Sequence, residues 1–96
     1  MIPGSTTKLT EGVAAVGATI KATTDIILVN GTGTINTINP NFGGGYSGIL
    51  ILLAASGTVT LSTAGNIAVT STIAAGNAKI LIYSRTIKKW HVVAGI

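Results

Sequence analysis

The apolar residues of this chain come in short runs, and that limits its folds more than any other feature. The longest unbroken run, Ile49-Leu50-Ile51-Leu52-Leu53-Ala54-Ala55, falls far below the ~18 residues that a membrane-crossing helix needs. Gly, Asn or Pro punctuates the chain between such runs, and many of their members are β-branched, which favours short strands over helices. An all-β chain is expected.

Asp25-Ile26-Ile27-Leu28-Val29 reads as a strand ending at Asn30-Gly31, a pair suited to a reversal with positive φ. Thr34-Ile35-Asn36-Thr37-Ile38-Asn39 alternates with period two up to Pro40, so the two runs are expected to form a hairpin. Val13-Ala14-Ala15-Val16-Gly17-Ala18-Thr19-Ile20 is read as extended, because Gly17 and the β-branched residues weaken a helix. Residues 49–54 do not alternate polar with apolar, as expected of a central strand buried on both faces or of one whose outer side meets another subunit. Phe42 is expected to anchor the glycine-rich loop after Pro40. Further strands are read at Thr58-Val59-Thr60-Leu61, Asn66-Ile67-Ala68-Val69-Thr70, Lys79-Ile80-Leu81-Ile82-Tyr83 and Trp90-His91-Val92-Val93, with turns at Gly57, Gly65 and Gly76. Gly33-Thr34-Ile35 echoes Gly57-Thr58-Val59, which is read as shared strand grammar and not as a repeat. Residues 1–12 are polar and turn-rich and read as an N-terminal arm, leaving residues 13–96 as a single β-rich domain.

Charged residues make up 8% of the chain, against roughly 25% in ordinary soluble domains. A 9.6 kDa monomer also buries only about 60–65% of its unfolded surface. A subunit covered by its own copies needs fewer charges, so a homo-oligomer is expected. Without Cys there is neither a disulfide nor a thiolate metal site, and a lone His cannot build a metal cluster within one chain. The two acids, Glu11 and Asp25, lie in different segments, which argues against paired-carboxylate hydrolysis. Gly43-Gly44-Gly45 has no following Gly-Lys-Thr, so no phosphate loop is read. The expectation is a protein that is not an enzyme, has no cofactor and does not span a membrane.

Two groups of residues remain as candidate contacts. Arg85, Lys88 and Lys89, followed by Trp90, form the local basic cluster. It reads either as a cationic-aromatic patch for a polyanion or as a charged turn that keeps a sheet edge soluble. The net charge of +4 is spread thinly, and nucleic acid is not expected as a partner. Tyr46, Tyr83 and Trp90 offer rings that stack against sugars, which makes a host glycan the alternative partner.

The Asn30-Gly31-Thr32-Gly33 turn, Ile35-Asn36-Thr37-Ile38-Asn39-Pro40, the loop at 42–48, Thr63-Ala64-Gly65-Asn66-Ile67-Ala68, Ala78-Lys79-Ile80-Leu81-Ile82-Tyr83 and Lys89-Trp90-His91 together resemble a β-rich module. That module recurs in tailed-bacteriophage structural proteins, in head fibres, head decoration proteins and tail-fibre segments, and the resemblance covers residues 19–92. It implies a homotrimer of small sandwich or barrel-like subunits on the capsid exterior of a virion, bound to the major capsid protein or another virion protein. The implied function is mechanical, as a head decoration protein that stabilises the capsid or a short head fibre, with a glycan-binding fibre module as the alternative. The relatives carry an Asp-Gly turn and a Trp-Tyr pair where this chain has Ser84-Arg85-Thr86-Ile87 and Trp90-His91. No catalytic residue is implied.

Overall fold

A computed structural model describes residues 9–40 and 45–95, with side chains described as far as residue 93. The apolar runs form ten short strands: β1 (Glu11–Ala15), β2 (Thr19–Ala22), β3 (Ile26–Asn30), β4 (Gly33–Ile35), β5 (Thr37–Pro40), β6 (Gly48–Ala54), β7 (Val59–Leu61), β8 (Ser71–Ile73), β9 (Ala78–Ser84) and β10 (Lys89–Gly95). They pair as a five-stranded sheet in the order β1-β3-β6-β9-β10, a two-stranded sheet β2-β5 and a three-stranded sheet β4-β7-β8. The all-β expectation holds. A closed barrel is not seen among the described residues; the strands form three sheets, two of them mixed and the β2-β5 sheet parallel.

The chain winds as a coil. From β3 in the large sheet it turns through β4 to β5 and returns to the large sheet as β6, and each return lies parallel to the rung before it. Glu11 pairs with Ile26 and Ile26 with Ile51; Thr19 pairs with Thr37; Gly33 pairs with Val59. The last three strands reverse direction, β8 against β7, β9 against β6 and β10 against β9.

This winding corrects the expected hairpin. β3 lies between β1 and β6, and β4 lies beside β7, so the runs on either side of Asn30-Gly31 do not pair with each other. The reversal residues instead turn a coil corner, where Gly31 adopts φ 98°. β4 and β7 are stacked rungs, but the echo is not their register: Gly33 pairs with Val59, two positions beyond the Gly57 that echoes it. A similar column forms at another corner: Asn36 and Thr37 donate backbone N–H to Ala18 O at 2.9 and 3.0 Å, and Asn66 N donates to Asn36 O at 3.2 Å.

Residues 66–70 do not form the expected strand; only Ile67 makes a bridge, to Trp90. The side chain of Asn66 takes the place of a strand there. Its Oδ1 accepts from Ile38 N at 2.8 Å and its Nδ2 donates to Ile38 O at 2.7 Å. Thr37 is bonded to the Ala18 side, so the next residue of β5 directs its backbone groups the other way, and the amide meets both of them.

The core runs along the inside of the coil. Ile20 and Ile38, Ile35 and Leu61, and Ile27 and Leu52 are register partners on stacked rungs, and all are buried. Trp90 is fully buried, its Nε1 donating to Ile38 O at 2.9 Å and its ring 5.2 Å from that of Tyr83. No buried polar or charged residue interrupts this core among the described residues. Of the expected arm, residues 1–8 lie outside the described residues, while Glu11 and Gly12 open β1. Phe42 and most of the triple glycine also lie outside them.

Candidate functional site

Alternation decides what the large sheet shows to the outside. In β6, Leu50, Leu52 and Ala54 point into the coil and are buried, whereas Ile49, Ile51 and Leu53 point outward. This strand is central, as expected, but it is not buried on both faces: Ile49 is 64% exposed. The parallel and antiparallel registers then align outward residues across strands. Val13, Leu28, Leu53 and Ala78 make one row; Glu11, Ile26, Ile51 and Ile80 make the next; Ile49, Ile82 and His91 make a third. Sequence reading missed this face, because it needs the register, which the individual runs do not carry.

The surface is apolar almost throughout. Val13 is 65% exposed and Ile82 40%, while Leu28, Ile26, Ile51, Leu53 and Ile80 are half-buried by their neighbours. Its ionisable groups stand at opposite margins, Glu11 on β1 and His91 with Lys89 on β10. His91 Nε2 is buried and has no hydrogen-bond partner among the described residues.

The basic cluster is split by the fold. Arg85, Lys88 and Lys89 are exposed at the β9–β10 turn, where Lys88 adopts φ 61° and its N–H donates to Ser84 O at 2.7 Å. Trp90 alternates to the inside, so the cationic-aromatic patch loses its ring. The aromatic set separates too: Tyr83 is buried against Trp90, and Tyr46 stands 68% exposed in the loop before β6. The three rings do not surround one concavity.

A cleft of about 320 Å³ opens between the start of β6 and the corner joining β2 to β3. Thr10, Thr23, Thr24 and Asp25 supply its polar lining, while Ala22, Ile49, Leu50 and Trp90 supply apolar surface. The Asp25 carboxylate accepts from Thr10 N at 3.2 Å, which ties the chain ahead of β1 to the corner. Asp25 is the single acid in this lining and has no basic or nucleophile-activating group beside it there, so the cleft holds no acid–base pair. Among the described residues no group of three or more His, Cys, Asp or Glu is placed to hold a metal ion, and no helix is long and apolar enough to cross a membrane.

No family model, no curated protein and no solved structure matches this chain. The virion identity expected from its motifs, as a capsid decoration protein or head fibre of a bacteriophage, has no counterpart among them and is corrected to an all-β chain without a shown family. Among the described residues, the motifs that carried it are strands and corners of a coil. Asn30-Gly31 turns one rung into the next, and residues 63–68 close a later corner.

Proposed function

We propose that this protein is a structural assembly module, one that works by covering surface against copies of itself and carries out no reaction. The supporting observation is the outer face of β3, β6 and β9, apolar in all three rows on a chain that has only 8% charged residues. Monomeric proteins rarely expose contiguous apolar patches beyond a few hundred Å², and larger ones mark interaction sites. Covering such a face releases up to about 25 cal/mol per Å² of apolar area, less the cost of bringing the partners together.

Sedimentation equilibrium of the full chain over a wide concentration range tests this reading. Reversible association is expected, with a melting temperature that rises with protein concentration because only the folded state is bound by its copies. A single monomeric mass throughout, with a melting temperature independent of concentration, would overturn it.

A further inference from the structure

The coil corner that follows β1, β3 and β6 holds a peptide with chemistry of its own. We propose that Asn30 is a covalent modification site, where the chain loses ammonia and becomes isoaspartate or aspartate, and that the stacked windings hold this conversion back until the corner opens.

Two neighbours in sequence set the chemistry. The Gly31 nitrogen, after loss of its proton, attacks the side-chain carbonyl carbon of Asn30 and closes a succinimide ring. A C–N bond forms, the bond from that carbon to Nδ2 breaks, and Nδ2 leaves as ammonia with a proton equal to the one Gly31 gave up. Water then opens the ring at either carbonyl. One route gives aspartate; the other gives isoaspartate, whose backbone runs through the former side chain. Among the Asn residues, Asn30 alone precedes Gly, which has no side chain to shield its nitrogen. Asn36 and Asn66 precede the β-branched Thr37 and Ile67, Asn41 precedes Phe42, and Asn77 precedes Ala78. Asn39 precedes Pro40, whose nitrogen has no proton to lose.

The fold supplies the restraint. Asn30 is exposed at the end of β3, and Gly31 turns the corner at φ 98°. The Asn30 carbonyl and the Gly31 N–H belong to one planar peptide unit and point in opposite directions. The carbonyl accepts from Val16 N at 2.8 Å, in the winding before, and the N–H donates to Ser56 Oγ at 2.9 Å, in the winding after. One peptide thus clasps three windings. Packing closes on it from the same two sides: a Cβ at Gly31 would lie 3.0 Å from Val16 Cγ1, and one at Gly57 would lie 2.9 Å from the Gly31 carbonyl.

Because Asn30 is extended, ring closure must turn this peptide about the Asn30 Cα–C bond, which breaks both hydrogen bonds together. The rate in the folded chain is then that of the free peptide multiplied by the fraction of time the corner stands open. The change is one-way. Isoaspartate adds a backbone carbon ahead of the clasping peptide, and either product adds a carboxylate, taking the net charge from +4 to +3.

The test follows the full chain in mildly alkaline buffer, folded and in urea, by mass spectrometry of its chymotryptic peptides. Enzymatic methylation of isoaspartate identifies the product, and far-UV circular dichroism verifies the fold. Conversion is expected at Asn30 ahead of every other Asn, at least about tenfold slower in the folded chain than in urea. Ser56→Ala removes the acceptor at an exposed position and is expected to raise the folded rate about three- to tenfold, with the rate in urea unchanged. Ser56→Thr keeps a hydroxyl and is expected to stay within about twofold of the parent. An unconverted Asn30 in the folded chain once conversion in urea is complete would overturn the site, as would faster conversion at another Asn. Equal rates folded and in urea would overturn the restraint, a result the parent chain gives even if a variant misfolds. Ser56→Ala at the parental rate would overturn the clasp, and a slower rate would do the same by showing the hydroxyl taking the Gly31 proton instead of holding it.

Discussion

Replacing Asn66 tests whether one amide completes the coil. Asn66→Ala removes the bonds to Ile38 N (2.8 Å) and Ile38 O (2.7 Å). Each is worth about 1 kcal/mol net, and a backbone N–H left buried without a partner adds about 1–3 kcal/mol. Ile38 is fully buried, and its carbonyl keeps the Trp90 indole donor while its N–H loses Asn66, so the sum expected is about 3–5 kcal/mol. A chain of this length unfolds with an entropy of about 0.2 kcal/mol/K, which makes 3 kcal/mol a fall in Tm of roughly 15 °C. Asn66→Asp separates the two bonds. It keeps an acceptor for Ile38 N but turns a second carboxylate oxygen toward Ile38 O where the amide donated, so it is expected to cost at least as much as Asn66→Ala. Urea and thermal unfolding followed by far-UV circular dichroism, all at one protein concentration, measure both. Should either variant stay within about 0.5 kcal/mol of the parent, the amide would not be acting as the missing strand, and the account of this corner would fail.

Two further substitutions test the corners. Gly65→Ala would drive its Cβ into the Asn36 backbone and the Thr37 hydroxyl on the neighbouring rung, so a loss of about 1–3 kcal/mol is expected in the same unfolding assay; a neutral result would mean that the rungs are less closely stacked. Lys88→Gly removes a side chain from a left-handed position at φ 61°, and a gain of about 0.5–1 kcal/mol in unfolding free energy is expected, whereas Lys88→Val is expected to destabilise.

The strands were legible where composition and alternation agree. The runs at 25–29 and 79–83 match β3 and β9 within a residue or two, because β-branched residues bounded by turn signals need no partner to be recognised. Pairing was not legible. Ile26 finds Ile51 and Gly33 finds Val59, each about a full winding away, and nothing in an alternating run names a parallel partner. Asn30-Gly31 favours a hairpin turn equally well as a coil corner, since both need a residue at positive φ. For the same reason Trp90 and Tyr83 could be seen as aromatic but not as inward-facing: the parity of a strand is set by its neighbours, and β9 and β10 each place alternate residues on opposite faces. The outer apolar face was foreseen only in the option that the 49–54 strand meets another subunit. Its extent across four strands came from the register.

The change of direction after the third winding shapes how this chain reaches its fold. Ser84 and Lys89 are register partners across a turn of only Arg85-Thr86-Ile87-Lys88, so β9 and β10 meet at small entropic cost, while every parallel contact must first close a long loop. The hairpin is thus the most local pairing of the large sheet, whereas joining β9 to β6 closes 25 residues between Leu53 and Ala78, more than the 15 between Glu11 and Ile26. Contacts of very different range thus meet in one sheet: β10 needs only its neighbour in sequence, while each winding ahead of it must bring together residues 15 or more apart before it gains a single ladder bond.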